Sequence, residues 1–107
     1  MQAYQVIVNV YQKNYVSYAK VVNSAIVDKA INGTFIFDDS DMDDVIEVTI
    51  HSVLCYLAYK RDVDIEEVKK DASVKMHSYD LSGTQRTYIE INWSNYELMV
   101  VVDFKQA

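Results

Sequence analysis

The stretch DMDDVIEVTIHSVLCYLAYKR, residues 41–61, decides the fold, because its first half reads either as a strand or as the start of a helix. Ile46, Val48 and Ile50 alternate as a strand would. Ile46, Ile50, Val53, Leu54 and Leu57 instead make one stripe at i, i+4, i+7, i+8 and i+11, the spacing of a helix face. Length and end charges favour the helix. Ser40 or Asp41 can cap free backbone N–H groups, and Asp43, Asp44 and Glu47 lie at the positive end of the helix dipole. Lys60 and Arg61 supply the opposite sign in the last turn. Val45, Val48, Tyr56 and Tyr59 widen the apolar surface beyond one face, so this helix is buried on two sides or touches a partner.

Downstream, Asp64-Ile65-Glu66-Glu67 has capping-box spacing and opens a short helix over 64–71. The pattern then returns to period two. Ser73 to Tyr79 pairs with Arg86 to Trp93 across the Leu81-Ser82-Gly83-Thr84 turn, and Ser94-Asn95 leads into a strand from Glu97 to Phe104. Leu98, Val100, Val102 and Phe104 share one face of that strand, while Met99 and Val101 make the other face apolar. It is expected to be central and covered on both sides.

Upstream, Tyr4, Val6, Val8 and Val10 place a strand over residues 3–11, with Gln12-Lys13-Asn14 as a turn. Residues 15–31 fit two readings, since Tyr15, Ala19, Val22, Ile26 and Ala30 have helical spacing. Strands are preferred because β-branched residues are frequent and Asn32-Gly33 before Thr34-Phe35-Ile36-Phe37 suits a type I′ hairpin. The expected fold is α+β: an antiparallel sheet of about five to seven strands against one long helix (41–61) and one short helix (64–71). A chain of 107 residues supports a single domain, 1–107.

Charge is unevenly distributed. The window from Asp38 to Glu47 holds six acids and no base, which equals the net charge of −6, so acids and bases balance elsewhere. There are nine tyrosines, a supply of large rings with polar tips suited to half-buried sheets or binding surfaces. Cys55 is the single cysteine, which excludes an internal disulfide. The start of the chain lacks the pattern of a signal peptide, and no apolar run approaches the roughly 20 residues that span a bilayer. A cytoplasmic protein without membrane contact is the expectation.

Each candidate chemistry lacks an essential part. Asp39, Asp41 and Asp43 have the spacing that opens an EF-hand, but Asp44 and Ile50 stand where glycine and the bidentate glutamate belong. Glu47, His51 and Cys55 stack along one helix face as zinc ligands would, without a second Cys or His pair to complete four. Cys55 with His51 has no third group to orient the imidazole, and Ser78 beside His77 and Asp80 cannot meet His77 from the opposite face of a strand. Lys60-Arg61 and Lys69-Lys70 with Lys75 are interrupted by acids, unlike a nucleic-acid stripe. No cofactor and no metal site is assigned.

The expected function is therefore a non-enzymatic protein-binding module. Asp38, Asp39, Asp41, Asp43, Asp44 and Glu47, with Tyr56 and Tyr59, would dock on a basic surface of another protein, acids steering the encounter and rings supplying contact. Basic surfaces often handle nucleic acid, so one version is an inhibitor that occupies such a site, as small acidic phage anti-defence proteins do. Two alternatives are a homodimer formed through helix 41–61 or the C-terminal strand, and an enzyme using Glu47, His51 or Cys55. Asp38 and Asp39 precede the cap, where a helix start does not require them.

Overall fold

The computed structural model describes residues 2–14, 17–20, 33–37 and 41–106. Their order is β1 (Gln2–Asn14), β2 (Ser17–Lys20), β3 (Gly33–Phe37), α1 (Met42–Arg61), α2 (Ile65–Asp71), β4 (Ser73–Leu81), β5 (Thr84–Trp93) and β6 (Tyr96–Gln106). The protein is α+β, as expected, and α1 and α2 each begin one residue later than the sequence suggests. The long strands run antiparallel in the order β1-β6-β5-β4. Two short strands border β1 on its other side, β3 along Gln2–Val6 and β2 along Tyr11–Asn14.

The upstream reading needs one correction. Gln12, Lys13 and Asn14 are not a turn but the end of β1, with Gln12 paired to both Ala19 and Leu98. β2 pairs with all three and β6 with Gln12, which holds the backbone extended there and outweighs the turn preference of Asn. Ser17–Lys20 is strand, whereas the rest of the ambiguous segment and the proposed turn residue Asn32 lie outside the described residues. β6 is central, between β1 and β5. Its second face is only partly covered, since Met99 and Val101 remain half-buried.

Period two builds the floor of the core. Tyr4, Val6, Val8 and Val10 of β1, Leu98, Val100, Val102 and Phe104 of β6, and Thr87, Ile89 and Ile91 of β5 are all buried. Register puts them on one sheet face, because Val8 pairs with Val102, Val102 with Thr87, and Val100 with Ile89. α1 covers this face with Met42, Ile46, Val53, Tyr56 and Leu57, all in the same core cluster, and with the fully buried Thr49. The buried Thr49 and Ser52 hydroxyls bond within the helix, Thr49 to the Val45 carbonyl at 2.7 Å and Ser52 to the Val48 carbonyl at 2.9 Å.

The end of α1 is fixed by backbone and side chain together. Asp62 takes the left-handed conformation (φ 52°) and donates its N–H to the Ala58 and Tyr59 carbonyls. Arg61 reaches Asn95 in the β5–β6 turn at 3.1 Å. α2 then packs on α1 through the fully buried Val68, its start capped by Asp64, which accepts from the Glu66 N–H.

This covering layer stops short of β4. Val74, Met76, Ser78 and Asp80 pair with Ile91, Ile89, Thr87 and Gln85, so they extend the core face by one strand. Yet every residue of β4 is exposed.

Candidate functional site

The first turn of α1 carries the acidic residues to one end of the molecule. Asp43, Asp44 and Glu47 are exposed, while Met42 and Ile46 on the opposite side of the same turns are buried. Asp41 makes no capping bond with its side chain, and it stands in a helical rather than an extended conformation. The capping role expected of it is therefore not filled by Asp41, because a side chain reaches back to N2 or N3 from an extended cap residue. Asp38 and Asp39, the residues that most directly tested a partner role, lie outside the described residues.

A groove opens beside this turn. It encloses about 570 Å³ between α1 and the tip of the β4–β5 hairpin. Met42, Asp43 and Ile46 line it from the helix, Asp80 and Leu81 from β4, and the ring of Phe104 from the sheet beneath. Gly83 shapes the hairpin tip, with a φ of +79° at the second central position of a two-residue turn closed by Leu81 and Thr84. Acids thus reach the groove from both sides of an apolar base. The register of β4 and β5 brings Asp80 there, and no local pattern around Asp43 announces it.

The two tyrosines assigned to the acidic surface are not gathered with it. Tyr56 is 8% exposed and belongs to the core, since it follows Val53 by three residues and Thr49 by seven, both fully buried. Tyr59 is 79% exposed but stands about 24 Å along the helix axis from Asp43, at 1.5 Å per residue. Val48, 52% exposed, shares that outward side.

Glu47, His51 and Cys55 occupy the same outward side of α1 and not the groove. Cys55 Sγ lies 3.6 Å from His51 Nε2. Among the described residues no three His, Cys, Asp or Glu side chains converge as a metal site requires. Ser78 faces the core side and bonds Thr87 Oγ1 at 2.9 Å, whereas His77 pairs with Tyr88 on the other face. The separation of Ser78 from His77 across the strand is thus as expected from alternation.

The sheet face away from α1 holds a bidentate ion pair. Arg86 forms two parallel bonds to Asp103, Nε to Oδ1 at 2.7 Å and Nη2 to Oδ2 at 3.0 Å, and donates Nη1 to the Tyr88 hydroxyl at 3.4 Å. The hydrogen bond to Asp103, then that to Tyr88, push the guanidinium pKa above its ordinary value. Tyr79 meets Tyr88 edge to face at 5.9 Å. These groups are satisfied among themselves and form a structural cluster.

Among the described residues no helix is long and apolar enough to cross a membrane. Comparison with protein-family models, curated proteins and solved structures returns no match.

Proposed function

We propose that this chain is a non-enzymatic protein-binding module that receives a basic surface of a partner protein at the end formed by α1 and the β4–β5 hairpin. The observation that supports it is the groove in which Asp43 and Asp80 enter from opposite elements above the apolar Met42, Ile46 and Phe104. A lysine or arginine side chain fits such a site, its methylene stem on the apolar base and its cationic head between carboxylates. Exposed Asp44 and Glu47 extend the negative field outward, which favours fast association with basic partners. An inhibitor covering a nucleic-acid-binding surface is one form this function takes, because such surfaces are basic.

The test compares the proteins retained from a cell lysate by the immobilised chain and by the Asp43→Asn, Asp44→Asn, Asp80→Asn variant. Basic proteins are expected on the unmodified chain, lost in 1 M salt, where the Debye length is about 3 Å, and absent from the variant. Far-ultraviolet circular dichroism confirms that the variant is folded. Retention of the same proteins by both would overturn the proposal. Exposed Val48 and Tyr59 favour a second reading, association of two copies through α1, which sedimentation at increasing concentration detects.

A further inference from the structure

β4 ends the sheet, and among the described residues no strand pairs with its outer edge. It is nine residues long, none of them buried, and it carries apolar side chains on both faces: Val74 and Met76 toward the α1 side, Tyr79 and Leu81 toward the other. Edge strands of this length are commonly shortened, bulged or covered, because their free N–H and C=O groups form a template for another strand. Among the described residues this one is left open beside the acidic groove.

The direction of its free groups follows from the hairpin. Leu81 and Thr84 close a two-residue turn, and the closing pair of such a turn is hydrogen-bonded. Alternation then assigns Leu81, Tyr79, His77, Lys75 and Ser73 to the ladder with β5. The N–H and C=O groups of Asp80, Ser78, Met76 and Val74 point to the open edge. Side chains of these same four residues lie on the α1 side, where β4 is uncovered. An added strand would therefore bond to these residues and set its own side chains beside theirs on the α1 side of the sheet, past the part that α1 covers.

We propose that the β4 edge accepts an extended segment of the basic partner as an additional antiparallel strand, with basic side chains opposite Asp80 and Ser78 and apolar side chains opposite Met76 and Val74. This rests on the reading that the acidic end binds a basic partner. Charge complementarity selects the partner over a second copy of this chain. Two antiparallel copies centred on Met76, His77 or Ser78 would set Asp80 against Ala72, Val74 or Met76 respectively, each time placing a carboxylate against an apolar residue. A lysine or arginine opposite Asp80 completes the acidic groove instead. Main-chain bonds then supply affinity, and the alternating side chains supply selectivity.

The experiment uses the whole chain and the blocked peptide Lys-Thr-Lys-Thr-Val-Thr-Val, whose lysines fall opposite Asp80 and Ser78 in the antiparallel orientation. Two comparators are the same peptide with Glu in place of Lys, and one N-methylated at the residues whose N–H groups would face β4. Amide shifts and hydrogen exchange of the chain are followed during titration. Slowed exchange at Val74, Met76, Ser78 and Asp80, with binding weakened about tenfold or more by N-methylation, is the expected result. Met76→Pro should reproduce that loss, since its N–H is outside the β5 ladder and a proline is tolerated at an open edge.

Equal binding by the N-methylated peptide would overturn strand addition while leaving the acidic docking reading intact. Equal binding by the Glu peptide, or binding by none, would remove both. Exchange protection at the same four amides that rises with protein concentration alone would overturn the proposal in favour of pairing between copies.

Discussion

At the residue scale, Arg86 and Asp103 show how unequal the two ends of an ion pair can be. The Asp103 side chain is 8% exposed and that of Arg86 is 36% exposed, so the carboxylate has little access to replacement water. Arg86→Ala should cost about 2 kcal/mol in urea denaturation, mostly through the stranded carboxylate, because the solvent-screened cation contributes less. Arg86→Met with Asp103→Leu should recover most of that loss, which an additive double variant would contradict. The raised Arg86 pKa stabilises the fold below the unfolded-state value and is lost only as pH rises through the folded one. Both lie far above neutrality, so this cation gives no pH dependence near it. Gly83 poses a purely backbone question, for a Cβ there would meet nothing within 4 Å, yet φ is +79°. Gly83→Ala should therefore cost about 1 kcal/mol, the left-handed penalty less the entropy removed from the unfolded chain. A D-alanine at the same position should be at least as stable as glycine.

At the element scale, α1 divides sharply into a side that carries stability and a side that does not. Leu57→Ala should cost about 3 kcal/mol, since Leu57 is fully buried against the sheet, whereas Val48→Ser should change stability by less than about 0.5 kcal/mol. Chemical denaturation of the two variants measures the contrast, and a large loss at Val48 would reveal a covered outer face. This helix was legible because stripe, end charges and length agreed. β1 and the β4–β5 hairpin were legible from alternation. Tyr56 was misplaced because an apolar surface wider than one stripe does not say which flank is covered, and burial by the sheet decides it. Asp80 was missed as a groove residue because only the pairing of β4 with β5 brings the hairpin tip beside Met42 and Asp43. Sequence separates these residues by the whole of both helices, and no periodicity spans that gap.

At the scale of the whole molecule, the sheet manages its two edges differently. β1 is bordered by two short strands, while β4 presents nine exposed residues and, among the described residues, no strand along its outer edge. Val74 and Met76, 38% and 53% exposed, continue the core face past the limit of α1. Such an edge is a liability during folding, when unpaired strands meet those of other chains. Met76→Lys places a charge on that face in a residue already half in water, so its cost to stability should stay below about 0.5 kcal/mol. The same change should sharply reduce aggregation, measured as light scattering when the chain is diluted from urea at increasing concentration. Glu47→Gln, an exposed change on α1 that shifts the net charge by the same single unit, controls for net charge, because moving the molecule toward neutrality by itself favours association. If aggregation falls only with Met76→Lys, the β4 edge is the surface through which copies meet. If it falls equally with both, the fall does not come from blocking the β4 edge, and the edge is already protected. Aggregation through this edge on refolding, with no described strand covering it when folded, would fit the proposed addition of a partner strand, the acids at its end selecting what pairs there.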